Sequence, residues 1–460
     1  MPSLSSTLHR RLMATNAEDT YFSDLISREY GRLAAAGHHY LDYTGGGLYA
    51  ESQIREHFAR LSGGVFGNPH STNPTSIRAT ELVEEAREKV LSFFNAGDDY
   101  FCIFTGNASA ALKIVGECFP WSADSNYLLL TDNHNSVNGI REYCKNGGGS
   151  FRYAPVNADE LTIDEDAMSE LLAEPATGPR LFAFPAQSNV SGVKHSLDWV
   201  ARARVQGWST LLDAAAFAPT SRLDLSTVQP DFAVMSFYKM FGYPTGIGCL
   251  LVRKSAFNLL QKRWFAGGNV RIAGVCVPEH FLAEDHERFE NGTINYLDLP
   301  AITTGLNFLE SVGMERLNRR VSSLINYAYE KLSELRHSNG SSLLRIYGPG
   351  DRSNCGGTLI MSVLDDAGNR VCFREVEKRA SARKVSVRSG CFCNPGLDEV
   401  NSKVSVEELQ ETFGAIGEMG GGEILARLSE IRGATRVSVG IASTKADLDA
   451  FVEVVNSFQS

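Results

Sequence analysis

The sequence has no excess of positive charge. Its 44 Lys and Arg are outnumbered by 54 Asp and Glu, giving a formal net charge of −10. A nucleic-acid binder shows a basic stripe, and this balance argues against one. Long apolar runs are missing too. The longest, such as Phe232–Met235 and Ile247–Val252, are strand length, short of the ~20 residues that cross a bilayer. No CxxC pair is present, which argues against a zinc ribbon and a metal site of that type. There is no internal repeat and no low-complexity block.

What is present is ordinary for a globular enzyme: 43% hydrophobic and 21% charged residues over 460 positions. A chain this long buries a large core without disulfides. Its nine cysteines are odd in number and scattered, which fits a reducing, cytoplasmic setting. Cys102, Cys118, Cys249 and Cys276 sit among apolar neighbours and read as buried thiols. Residues 1–16 carry Ser and Arg without acid, a composition shared with transit peptides, but show no clear amphipathic stripe. A frayed tail over 1–20 is the reading adopted.

Beyond it, short apolar strands alternate with helices. Strands are predicted at Tyr100–Phe104, Tyr127–Leu130, Leu181–Phe184, Thr210–Leu212, Phe232–Ser236 and Gly248–Val252. Helices are predicted over Ala79–Asn95, from Ser109, over Val137–Cys144 and over Leu197–Gln206. This alternation predicts an α/β domain over 21–295, built on a mainly parallel sheet covered on both faces. After Gly292 come two long amphipathic helices, Leu299–Val312 and Met314–Leu335. Shorter strands follow at Leu343–Tyr347, Gly357–Val363, Val385–Arg388 and Arg436–Val439, with helices at Phe373–Ala382 and Lys445–Ser457. They predict a smaller α+β domain over 296–460, with the Gly-rich stretch Gly414–Arg432 as a loop.

Four groups of residues carry chemistry. Asp213 closes one apolar strand and Lys239 closes the next, in "LLDAAAFAP" and "SFYKMFGYPTG". Residues just past the carboxyl ends of strands converge on the ligand crevice of an open α/β sheet. An acid and a lysine there are the two groups pyridoxal phosphate needs, although an ordinary ion pair would look the same. Ser236, with the nearby hydroxyls and glycines, suits a backbone close to phosphate. Second, "FTGNASAALK" is a strand, a small-residue turn and a helix start, the makings of an anion site. It matches neither a Walker A nor a GxGxxG motif, and taken by itself it reads better as a tight turn capped by Ser109. Third, "VRSGCFCNPG" places Cys391 and Cys393 in a Gly-flanked loop, where an exposed thiol is a mobile nucleophile rather than half of a metal pair. Fourth, His134 follows a strand end, where an imidazole can stack on a ring or move protons, although a lone histidine is more often simply hydrogen-bonded in a loop.

With "FGNPHS", "AALKIVGECFPW", "NHNSVNGIREY" and "RFENGT", these segments give the chain its resemblance. It resembles the class V, fold-type I pyridoxal-phosphate enzymes, within them the cysteine desulfurases, and in particular the N-terminal domain of eukaryotic molybdenum cofactor sulfurases. The resemblance runs from "YLDYTGGGLY" to "TRVSVGIAST", nearly the whole chain. It implies a fold-type I transferase that binds pyridoxal 5'-phosphate. Lys239 would carry the cofactor, Asp213 would hold its pyridine nitrogen and His134 would stack on its ring. Asn189 would touch the cofactor phenol or the substrate. Ala108, Ser109 and Ser236 would hold the phosphate. Thr293 would reach the phosphate of a neighbouring subunit, making a homodimer. Arg436 would clamp the substrate carboxylate, with Arg388 a second candidate. Cys393 would be the nucleophile that takes sulfur from L-cysteine as a persulfide, releasing L-alanine, with Cys391 assisting and a protein or cofactor as sulfur acceptor.

The sequence departs from the family in places. Ala216 stands where desulfurases carry Gln and sulfurases Lys. The segment at Asp42 reads "DYTGGG", and the cysteine loop continues "LDEV" without a third cysteine. The full sulfurases carry a further molybdenum-cofactor-binding domain, and this sequence ends at Ser460. These differences bear on substrate and sulfur acceptor more than on the cofactor. Two rivals therefore stand beside desulfuration: carbon–sulfur lysis or carbon–carbon bond formation on an amino acid, and a non-catalytic scaffold or sulfur-relay subunit.

Overall fold

The computed structural model describes residues 18–415 and 432–460. Its centre is a seven-stranded sheet: β1 (Tyr100–Thr105), β2 (Asn126–Leu130), β3 (Ser150–Ala154), β4 (Arg180–Pro185), β5 (Ser209–Asp213), β6 (Phe232–Ser236) and β7 (Gly248–Arg253). The spatial order is β1-β7-β6-β5-β4-β2-β3. All strands run parallel except β7, which is antiparallel to both its neighbours. The connection from β6 to β7 holds one short helix, Phe237–Phe241. That is too little chain for a parallel crossover, so β7 returns antiparallel.

Alternate residues of each strand serve two cores, as the period of two requires. In β4, Leu181 and Ala183 face one side, packed with Ala111, Leu112 and Val115 of the helix Ala108–Cys118. Phe182 and Phe184 face the other, whose core includes Val83, Ala86 and Val90 of the helix Pro74–Phe93 and Ile302, Leu306 and Leu309 of the helix Pro300–Val312. Each fully buried Val, Leu, Ile or Phe side chain among them contributes ~1.5–3 kcal/mol. Covered on both faces, the sheet leaves only its strand ends and loops for a ligand.

The C-terminal part carries a four-stranded antiparallel sheet of β8 (Leu344–Tyr347), β9 (Thr358–Val363), β10 (Arg388–Gly390) and β11 (Ala434–Ser438), ordered β8-β9-β11-β10. An N-terminal segment joins it. His39–Tyr40 pairs in parallel with Val385–Ser386, and Asp42 bridges to Ser438. The strand expected over Val385–Arg388 is thus two pieces with different partners.

Other expectations need correction. Cys276 is exposed, not buried. It lies in the turn of the hairpin Val270–Ala273/His280–Leu282, and its apolar neighbours Val275 and Val277 themselves face solvent. The helix expected over Val137–Cys144 is two helices, Asn135–Asn138 and Ile140–Asn146, separated at Gly139. In the expected tail, residues 18–20 already belong to a helix over 18–30, where Phe22 and Leu25 are buried; residues 1–17 lie outside the described residues. In the Gly-rich stretch, Gly414 still belongs to the helix Val406–Ala415, and residues 416–431 lie outside the described residues. Among the described residues, no helix is long and apolar enough to cross a membrane.

Candidate active site

One cavity opens at the carboxyl ends of the parallel strands. Asn107, Ala108, Ser109, His134, Asn189, Asp213, Ser236 and Lys239 all line it. Asp213 is the last residue of β5 and Ser236 the last of β6, and Lys239 sits in the short helix after β6. Asp213 is buried and accepts the Ala215 N–H at 2.9 Å, which fixes its carboxylate.

The turn after β1 builds the anion cradle. Ser236 Oγ accepts the Ala108 N–H at 2.9 Å, and Asn107 Oδ1 accepts the Ala110 N–H at 3.0 Å. Between them the Ser109 N–H has no partner among the described residues. Ser109 Oγ lies 2.6 Å from Ser136 Oγ. Hydroxyls, a free amide and the positive end of the helix Ala108–Cys118 meet here, which favours phosphate.

Electrostatics mark the lysine. Burial pushes Lys239 below the ordinary lysine range; Arg436 and Arg388 push the same way, and Asp213 and Cys393 oppose. Burial also lowers His134, against the pull of Asp213 and with the push of Lys239. His134 Nδ1 accepts the Ser136 N–H at 3.1 Å, so in the neutral ring Nε2 carries the proton.

Over this floor sits the C-terminal part. Arg436, on β11, is 2% exposed. It donates to Asp42 Oδ1 at 2.9 Å and to the Asn189 carbonyl at 2.8 Å, and its buried Nε has no partner among the described residues. Arg388, on β10, grips the same Asp42 with Nε at 3.0 Å and Nη2 at 2.7 Å. One carboxylate thus balances two guanidiniums, leaving a net positive charge on this group of three. "DYTGGG" has a structural reason here: a Cβ on Gly45 would lie 2.5 Å from Asp42 Oδ2 and 2.7 Å from Arg388 Nη2. Cys391 and Cys393 are both exposed on the loop after β10.

Thr293 does not reach this cavity. It is exposed and lines a different one, of about 380 Å³, beyond the turn at Gly106. The neighbouring Glu290 explains part of "RFENGT". Its buried carboxylate takes Arg87 at 2.7 and 3.1 Å and the Phe104 N–H at 2.7 Å, tying this loop to β1. Sequence reasoning assigned nothing to Asp42 or to Gln187, which lines the cavity beside Ala216 and donates to its carbonyl at 3.0 Å. Gln187 stands two residues past β4, at the same kind of strand end that singled out Asp213, and that was the available signal.

A phosphorylated aldehyde needs an amine that is readily deprotonated and an anion cradle within one cavity. The desolvated Lys239 and the free Ser109 amide fit it. On a doubly covered sheet with this topology, they define a fold-type I pyridoxal-phosphate enzyme. The chain belongs to the aminotransferase class-V family, whose profile matches residues 39–451; members depend on pyridoxal phosphate. It is 38% identical to the molybdenum cofactor sulfurase of Bos taurus, over 94% of this chain and 51% of that protein. It is 37% identical to the one of Arabidopsis thaliana, over 92% of this chain and 56% of that protein. The chain thus spans about half the length of the curated relatives it matches. In fold it is similar to a cysteine desulfurase of Thermococcus onnurineus NA1, with a TM-score of 0.79 and 21% identity, covering 95% of this chain and 97% of that one. The cysteine desulfurase CsdA of Escherichia coli gives a TM-score of 0.75 and 20% identity, covering 95% and 98%.

Proposed function

We propose that this chain is a cysteine desulfurase of the molybdenum cofactor sulfurase type, moving the sulfur of L-cysteine onto Cys393 and releasing L-alanine. The observation that carries this reading is the placement of Cys393, an exposed thiol on a loop whose backbone is held by Asn189, which lines the cavity, and by Asn135, next to His134.

Pyridoxal phosphate, held by Lys239, Asp213, His134 and the Ala108–Ser109–Ser236 cradle, supplies an electron sink for charge developing at the substrate Cα. Arg436 binds the α-carboxylate, its buried Nε offering a donor that no group among the described residues uses. Lys239 Nζ, whose burial disfavours the ammonium form, takes the Cα proton and later returns it. Asp213 holds a positive charge opposite. Cys393 Sγ, as thiolate, attacks the substrate sulfur. The new S–S bond forms as the Cβ–S bond breaks, and the electron pair left on Cβ takes up a proton. The products are alanine and a Cys393 persulfide that a protein or cofactor acceptor consumes. The exposed Thr293 serves a second copy of the chain, in a homodimer.

Product analysis with a panel of amino acids tests the reading. Alanine with sulfide or persulfide supports it. Pyruvate with ammonia would make the chain a carbon–sulfur lyase.

A further inference from the structure

The residue after the two exposed cysteines is fully buried. Asn394 donates from Nδ2 to Asp132 Oδ1 at 2.7 Å and to Asn189 Oδ1 at 3.0 Å. Its Oδ1 accepts the Leu397 N–H at 3.2 Å, capping the helix Pro395–Ser402. Asp132, just past β2, is itself 0% exposed and is fixed by Ser188 Oγ at 3.0 Å and His195 Nε2 at 3.0 Å. The end of the cysteine loop is therefore anchored to an immobile carboxylate at the strand ends that form the cavity floor.

The loop backbone is held at two more points. Asn189 Nδ2 donates to the Phe392 carbonyl at 2.9 Å, and the Asn135 N–H donates to the Cys393 carbonyl at 2.7 Å. Between these contacts Phe392 and Cys393 have φ of 56° and 54°. Two consecutive L-residues in the left-handed region are disfavoured in a free chain. Contacts, not local preference, keep them there. Gly396 completes the docking: a Cβ there would collide with the Thr131 carbonyl.

We propose that Asn394 is a positioning residue: through Asp132 it latches the cysteine loop to the large sheet and sets Cys393 over Lys239. The inference rests on the desulfurase reading for what the thiol does, but not for the latch.

The test separates latch from helix cap. Asn394→Asp keeps an acceptor for the Leu397 N–H, and Asp caps as well as Asn. It loses the donor to Asp132 and sets a second carboxylate against it. Asn394→Ser also keeps a cap, carries no charge and is too short to reach Asp132, so it stands in if the Asp variant does not fold. Asn394→Ala loses both functions. Two readouts are taken on the cofactor-loaded protein: hydrogen exchange of the amides over 388–397, and the single-turnover rate of persulfide formation on Cys393. Expected for all three variants are loop exchange faster by about tenfold or more and persulfide formation slower by about tenfold to a hundredfold. The cofactor absorbance and the exchange of Phe232–Ser236 should stay as in the wild type. Wild-type exchange and rate in the Asp and Ser variants, with impairment only in Ala, would reduce Asn394 to a helix cap and overturn the proposal. If loop exchange responds as expected but the wild type itself forms no persulfide, the latch stands and the desulfurase reading fails.

Discussion

The floor and the roof of the cavity are built in different ways. The floor is the set of strand ends that carries Asp213, Ser236, Lys239 and His134. Asp213 and Ser236 end buried strands and Lys239 and His134 come within a few residues of a strand end, so their places are fixed by the sheet. The roof is assembled from afar. Arg388 and Arg436 meet Asp42 across sequence separations of 346 and 394, and the cysteine loop holds an unfavourable backbone only by contacts to the floor. A rigid, local floor suits chemistry common to a whole class. A roof made of long-range contacts is where substrate and acceptor can change while the cofactor stays.

The two halves should therefore fail differently. Lys239→Ala should abolish turnover together with the yellow absorbance of lysine-bound cofactor, as read by spectrum and product assay. Retained turnover at the wild-type rate would remove the lysine from the chemistry. Cys393→Ser should abolish alanine release and persulfide while leaving that absorbance intact, since a hydroxyl cannot accept the sulfur. Cys391→Ser should be far milder. Full activity in Cys393→Ser would break the division at its most informative point: the floor would stand, and the roof would belong to other chemistry.

A smaller effect sharpens the roof alone. Arg436→Lys loses the planar fork, and KM for the amino acid should rise by about tenfold to a hundredfold, the worth of a charge-assisted hydrogen bond, with kcat less affected. Arg388, with its side chain 51% exposed, should matter only about severalfold in the same substitution. Equal effects in steady-state kinetics would mean that both guanidiniums hold the carboxylate.

This difference also decides what could be read from sequence. An apolar strand followed by Asp or by Ser and Lys is a local pattern, so Asp213, Ser236 and Lys239 were legible. The alternation of helices and strands likewise gave the doubly covered sheet. The direction of β7 was not legible from its apolar run, since only the short connection before it forces the return. The roles of Asp42 and Asn394 depend on partners hundreds of positions away, and no local pattern marks them. Val385–Arg388 reads as one strand because its residues suit one, yet the chain changes partners midway. Cys276 has apolar neighbours in sequence but none to bury it in space.

The smallest predicted effect concerns the proton on Lys239 in the cofactor-free protein. Burial lowers its affinity for that proton, and the roof residues Arg436 and Arg388 lower it further. On unfolding the amine returns to the ordinary lysine value of ~10.4. Between the folded and the unfolded value the unfolded chain binds more protons, so this group makes stability rise with pH there. Its destabilising effect is full below the folded value and gone above the ordinary one. Lys239→Met lacks the group. The difference in unfolding free energy from denaturant titrations, variant minus wild type, should therefore shrink as pH rises towards ~10.4, with a slope of at most ~1.4 kcal/mol per pH unit for one proton. A change in packing around the methionine displaces one stability curve from the other without altering that slope. Parallel curves over this range would mean that the amine titrates as an exposed lysine does. The roof would then impose no field on the floor, and the two halves would be coupled only through the substrate.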